Sequence, residues 1–193
     1  MANKRSKRLV IDADVARSCG TEEATHLVAR KCREFLDGVR EICHRVVMTA
    51  EISTEWRSHA SRYARTWRVS MEARRKVIRV PVYPDSCLRA GLEANAPNEA
   101  GLAAMLKDLH LLQAAMATDG IVVSRDDNAR VLFRNAAGHV RAIRGIVWVN
   151  PVGEADPRLW LANGAEPDLE RTLSGSGMAS SDSPLQGHRD ALP

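Results

Sequence analysis

No apolar run in the chain approaches the roughly 20 residues that cross a bilayer, so no transmembrane segment is expected. Cysteine is sparse. Cys19, Cys32, Cys43 and Cys87 form no CxxC pair and no dense framework. Free thiols, mostly buried, in a reducing cytoplasm are the expectation, and the same spacing argues against zinc. The basic start, MANKRSKRLV, has neither the long apolar core nor the small-residue cleavage site of a secretory signal, so none is expected. Charge of one sign is not in large excess either. Lys and Arg number 28 against 24 Asp and Glu, a net charge of +4, which permits a nucleic-acid partner without demanding one. With 45% hydrophobic and 27% charged residues the composition is globular and excludes wholesale disorder. A chain of 193 residues is long enough for one domain with a substantial core, with or without a tail.

Short apolar segments alternate with helical patterns. Arg8–Asp12 reads as a buried strand ending at a carboxylate. A loop with Ser18, Cys19 and Gly20 follows, then a helix capped at Thr21 and running to about Arg40, with Leu27, Val28, Phe35, Leu36 and Val39 near a 3.6 period. Arg45–Thr49 is a second strand, followed by helices over Ala50–Ala60 and Ser61–Lys76. Val77–Val82 has strand composition, but Pro81 limits it to an edge or an extended loop. A helix is expected near Ser86–Ala94. A longer one spans Asn98–Ala117, with Leu106, Leu109, Leu112 and Met116 on one face. Ile121–Ser124 and Gly145–Val149 are strands flanking a helix over Asp127–Ala136. Asp156–Leu161 has the makings of a short helix that docks on the domain. From Gly164 to Pro193 the chain is rich in Gly, Ser, Pro, Asp and Ala without a period, and reads as a mobile tail. Such alternation implies a three-layer α/β/α sandwich around a parallel sheet. Ligands in such folds bind beyond the carboxyl ends of the strands, here just after Ile11, Thr49 and Ser124.

Acids occur at all three places. Asp12 ends the first strand, Glu55 lies in the helix after the second, Asp108 in the long helix before the third, and Asp126 just after the third. Two carboxylates about 4 Å apart repel by about 4 kcal/mol at an effective dielectric of 20. Protonation or a bound cation must offset this. Oxygen ligands without Cys or His suit Mg²⁺ or Mn²⁺, and such clusters serve phosphodiester chemistry.

The segments VIDADVA (10–16), TAEISTEW (49–56), KDLHLLQAAMATDGIVVSRDD (107–127) and IVWVNP (146–151) resemble the successive motifs of PIN-domain ribonucleases, the group that includes VapC-type toxins. The resemblance covers about residues 8–151. It implies a PIN-like nuclease domain over 1–151, which composition extends by a docking segment over 152–163 and a disordered tail over 164–193. It further implies a cytoplasmic endoribonuclease that leaves 5′-phosphate and 3′-hydroxyl ends. Asp12, Glu55, Asp108 and Asp126 would hold one or two Mg²⁺ or Mn²⁺ ions. An antitoxin partner and a homodimer are plausible on the same ground. The chain departs from the family pattern at Asp14, at Leu111-Leu112-Gln113, in the long stretch between Glu55 and Asp108, and in the tail.

Each residue also has a plainer reading. An Asp at a strand end commonly caps a helix; the four motifs in order favour a metal ligand for Asp12. Asp14 either caps the loop or supports the ligands. Glu51 and Glu55 share a helix face, and the spacing from Thr49 favours Glu55. Asp108 could instead pair with Lys107, but Asp126 follows it after eighteen positions, as in the family. Asp127 or Asn128 is assigned to capping the next helix or supporting the ligands, and Ser124 to a turn or to a hydrogen bond with a ligand carboxylate or a phosphate. The one-signed run that includes Arg57, Arg62, Arg65 and Arg68, interleaved with Tyr63 and Trp67, is either a solvated face or an RNA contact with an aromatic for stacking. Trp56, Trp148 and Trp160 read as packing residues. His44, His59 and His110 offer a metal-independent acid–base alternative. The competing functional classes are a catalytically weak PIN-like module that binds RNA or protein, and a DNA or flap nuclease.

Overall fold

The structure, a computed structural model, describes residues 6–175. Strands β1 (Arg8–Ile11), β2 (Arg45–Met48), β3 (Val77–Arg79), β4 (Ile121–Val123) and β5 (Val147–Val149) form one sheet in the order β3-β2-β1-β4-β5, with every pairing parallel. The helices among the described residues are α1 (Ala13–Ser18), α2 (Leu27–Glu41), α3 (Ala50–His59), α4 (Arg62–Ala73), α5 (Ser86–Ala94), α6 (Glu99–Met116), α7 (Asp127–Ala137) and α8 (Pro157–Ala162). One layer is built from α1, α2, α4 and α8, and another from α5, α6 and α7. The expected three-layer α/β/α sandwich with a parallel sheet is the fold observed. No described helix is long and apolar enough to cross a membrane.

The strands are short, and apart from an arginine at one end of β1, β2 and β3 they are apolar. All but the edge strand β3 are buried over their apolar residues because both faces are covered. Leu9 pairs with Val46 on one side and Ile121 on the other, and all three are fully or almost fully buried. Two indoles hold the helices to this frame. Trp56 on α3 donates Nε1–H to the Ile11 carbonyl at 2.8 Å, and Trp67 on α4 donates to the Leu36 carbonyl at 2.7 Å. Their rings stand 6.1 Å apart in the core. Trp56, Trp148 and Trp160 are all packed, as expected.

Three local expectations fail for identifiable reasons. The segment read as a loop after Asp12 contains α1, a helix too short to display a period. The next helix begins at Leu27, not at Thr21. The guanidinium of Arg33 collects the carbonyls of Cys19, Thr21 and Ala24 at 2.8, 2.8 and 2.5 Å, which holds that stretch as a loop. On α6 the residues expected on one face divide: Leu109 and Leu112 are buried, but Met116 is 38% exposed. Met105, Asp108, Leu112 and Ala115 form the more fully buried stripe. This helix packs on β1, β4, α5 and α7 at once, so its apolar residues run nearly all round.

The expectation of a mobile tail from residue 164 is corrected for its first part. Residues 165–175 fold back along β5. Thr172 forms an antiparallel bridge with Val147, Trp148 N–H donates to the Arg171 carbonyl at 2.9 Å, and Leu173 N–H donates to the Ile146 carbonyl at 2.9 Å. Ala165 and Leu173 are buried. A polar composition hid a segment held by backbone pairing together with a few side chains, Ala165, Arg171 and Leu173. The remainder of the expected tail, 176–193, lies outside the described residues. Leu173→Ala is expected to cost about 2–5 kcal/mol, the range for a buried leucine. Urea unfolding reads this directly, and a midpoint equal to wild type would return the segment to the status of a loose tail.

Candidate functional site

From β1 the chain builds β2 and β3 on one side, then crosses back to lay β4 and β5 on the other. The connections therefore diverge between β1 and β4, and this is where such sheets open a ligand crevice at their carboxyl ends. Asp12 follows β1 and Ser124 follows β4. Ser124 donates its hydroxyl to Asp12 Oδ2 at 2.8 Å and accepts the Asp126 N–H at 3.1 Å. Asp12 Oδ1 accepts the Asp14 N–H at 3.2 Å and so caps α1. Asp126 Oδ1 accepts the Ala129 N–H at 2.8 Å and so caps α7. Both acids also line one cleft of about 250 Å³. Capping and facing the cleft are thus joint roles of the same carboxylates.

Asp14, Glu55 and Asp108 line this cleft as well, together with Arg17, His59 and Lys107. Glu55 lies on α3, with Oε2 3.2 Å from His110 Nε2. His110 Nδ1 is 3.0 Å from the Lys107 carbonyl, so both ring nitrogens face acceptors. Glu51 is exposed and lines a different cleft with Asp85 and Arg89, so of the two glutamates it is Glu55 that reaches this cleft. Asp108 is 5% exposed. Burial pushes its carboxyl up to about 6, with the charges of Asp12 and Asp126 adding to the effect and Lys107, 3.8 Å away, opposing it. Asp14 is also pushed up to about 6, by burial first and then by the charge of Asp12, against the Arg125 amide and the Arg125 and Arg17 guanidiniums.

Other expected residues fall elsewhere. Asp127 accepts from Asn150 Nδ2 at 2.8 Å, Asn128 is exposed, and neither lines the cleft. The cap assigned to one of them belongs to Asp126, whose position after the Ser124 turn puts its carboxylate over the first turn of α7. His44 lies at the start of β2, away from the strands' carboxyl ends. It accepts the Lys7 N–H at 3.0 Å, its Nε2 is 3.0 Å from the Leu161 carbonyl, and burial lowers its pKa. Arg62 and Arg65 are exposed and do not line the cleft, whereas Arg57 and Arg68 enter a second cleft beside α3. The expectation of a stacking aromatic is corrected. Trp67 is 1% exposed, and Tyr63 is half-buried with the Arg33 guanidinium 5.8 Å over its ring. Sequence reasoning passed over Arg17 and Lys107 as cleft residues. Arg17 follows Asp14 by one helical turn, a signal visible only once α1 is known to be a helix.

Among the described residues, no three or more His, Cys, Asp or Glu side chains are already drawn together as a metal-holding group. The acids ring the cleft instead. Their chemistry still fits a hard divalent cation. The carboxylates supply only oxygen, and two of them, Asp14 and Asp108, are destabilised as anions by burial and by the charges of Asp12 and Asp126, which a cation would offset. Comparison of the chain with models of known protein families, with curated proteins and with solved structures gave no match.

Raised carboxyls fix the sign of a pH effect. Asp14 and Asp108 move from 3.8 to about 6 on folding. Between those values the folded chain holds protons that the unfolded chain has released, so their contribution to stability falls as pH rises through this window. In EDTA, Asp108→Asn is expected to raise Tm at pH 8 and to leave it nearly unchanged at pH 4. Mn²⁺ is expected to raise the wild-type Tm more at pH 8 than at pH 5. Thermal melts at the three pH values check both statements.

Proposed function

We propose that the chain is a Mg²⁺- or Mn²⁺-dependent endoribonuclease of the kind its motifs resemble, the PIN-domain ribonucleases. The observation that carries this reading is that Asp12, Asp108 and Asp126, from three separate segments, line one cleft at the switch point of a parallel sheet. Glu55 completes the set from α3. A bound divalent ion supplies polarisation of a phosphodiester and a water of lowered pKa. The chain's own residues do the rest. Asp12, Asp108, Asp126 and Glu55 hold the ion, and Ser124 fixes the orientation of Asp12. Arg17 and Lys107 are the cations in the cleft that attract an anionic substrate past the acids and bind its phosphate oxygens. A role as toxin with an antitoxin partner in the cytoplasm goes with the resemblance.

His59 in the cleft and His110 against Glu55 favour a second reading, in which these residues cleave RNA without a metal through the ribose 2′-hydroxyl. One assay separates the two. RNA cleavage is measured with Mg²⁺ or Mn²⁺, with EDTA, and for the Asp12→Asn, Asp126→Asn double variant. The carboxylate reading predicts metal-dependent cutting, 5′-phosphate ends, and a rate at least about 100-fold lower in the variant, since changes to groups that merely support metal ligands already cost about 10- to 100-fold. Cutting that persists in EDTA and leaves 2′,3′-cyclic phosphates would assign the work to the histidines. No cutting together with no Mn²⁺ uptake by calorimetry would leave a PIN-like binding module.

A further inference from the structure

Helix α3 stands between two clefts of opposite character. Glu55 and His59, four residues apart, face the acid-lined cleft. Ser53, Thr54 and Arg57 lie on the other side of the helix, at i, i+1 and i+4, and line a second cleft of about 330 Å³. Arg68 and Glu72 from α4, and Arg79 at the end of β3, complete it. Glu72 Oε1 is shared: it lies 3.3 Å from Arg79 Nη2 and 4.0 Å from Arg68 Nε. Arg57 bonds to a neutral partner, the Thr54 hydroxyl at 2.9 Å. Three guanidiniums against one carboxylate leave the cleft clearly cationic. Arg68 Nε is buried and among the described residues has no hydrogen-bond acceptor, since 4.0 Å from Glu72 is too long for one. A phosphate oxygen is an acceptor that guanidinium forks match well, and Arg57 and Arg79 present theirs to solvent in this cleft.

We propose that this cleft is a phosphate-binding site that holds a backbone phosphate of the same RNA strand whose scissile bond lies in the acid-lined cleft. The proposal rests on the ribonuclease reading for the identity of that strand. The two clefts are separated by one helix, about 10 Å across. Both lie at the carboxyl end of the sheet, the acidic one beyond β1 and β4 and the cationic one beyond β2 and β3. A ring of acids repels a polyanion, so a strand laid over it needs a cationic hold beside it. Arg57, Arg68 and Arg79 supply that hold within one cleft. Arg62 and Arg65, equally basic in the sequence, line neither cleft and have no part in it.

The test separates this site from the chemistry. Binding of a labelled single-stranded 2′-O-methyl RNA to the full chain is followed by anisotropy in EDTA, so that neither a metal nor a ribose hydroxyl can cleave it. A KCl series is run for wild type, for Arg57→Gln, Arg79→Gln, and for a charge-matched control, Arg30→Gln, Arg158→Gln, on α2 and α8. All four arginines are largely exposed, so both variants are expected to fold. The Arg57, Arg79 variant is expected to bind about 5- to 20-fold more weakly at low salt, with a salt slope lower by about 0.7 for one lost phosphate contact. The control is expected to match wild type within about twofold. Equal losses in both variants would reduce the effect to net charge and overturn the site. Unchanged binding in the Arg57, Arg79 variant would also overturn it, even in a chain that cuts RNA. The altered slope in a chain that does not cut would keep the site and dismiss the nuclease. If inorganic phosphate raises the wild-type Tm but not that of the variant, while RNA binding is the same in both, the cleft takes a free anion and the RNA assignment falls.

Discussion

One serine hydroxyl joins the two strands on which the candidate site depends. Ser124 donates to the Asp12 carboxylate and accepts from the Asp126 amide, so the end of β1, the end of β4 and the start of α7 are bound through a single oxygen. The backbone repeats the link, with Asp12 N–H donating to the Val123 carbonyl at 2.9 Å. The positions of two acids relative to each other follow from this short chain of bonds, not from the flexible reach of long side chains. Because Asp12 and Asp126 also cap helices, their anionic charge sits against unpaired amide groups that favour it. Local folding thus stabilises part of the charge that the cleft concentrates.

Asp108 and Asp14 cap no helix, and the one amide bonded to Asp14, that of Arg125, does not offset its burial. Asp108 comes from the buried stripe of α6, and Asp14 from the first turn of α1, and both are pushed towards the neutral form. Lys107 and Arg17 offset some of the repulsion but leave carboxyls outnumbering cations around the cleft. On the far side of α3 the balance is reversed: three arginines line a cleft with one glutamate, which pairs with Arg68 and Arg79. The helix separates the two regions, and the Trp56 indole fixes it to the last carbonyl of β1.

The sheet was legible because each strand is a short apolar run between helical patterns, and burial on both faces leaves no other reading for Leu9–Ile11 or Ile121–Val123. Asp12 and Asp126 were legible as site candidates because a parallel sheet brings its strand ends together, whereas Asp108, inside α6, was legible only through its eighteen-residue spacing from Asp126 and the family resemblance. The choice between Glu51 and Glu55 needed the rotation of α3, which two residues at helical spacing cannot define. The identity of the α7 cap needed the turn geometry around Ser124. Arg17 was hidden by a six-residue helix without a period, and the division of the basic run needed the packing of α3 and α4. Residues 165–175 were misjudged because side-chain composition carries no record of backbone pairing.

That same return segment changes what the sheet offers to its surroundings. On the outer edge of β5 the Trp148 N–H, and just before the strand the Ile146 carbonyl, are already engaged by Arg171 and Leu173. The opposite edge, β3, is three residues long and is followed closely by Pro81. Exposed strand edges are where chains add to one another and aggregate. Here one edge is partly covered from within the chain and the other is only three residues long. Among the described residues the sheet thus offers little free edge for a further strand to extend its five.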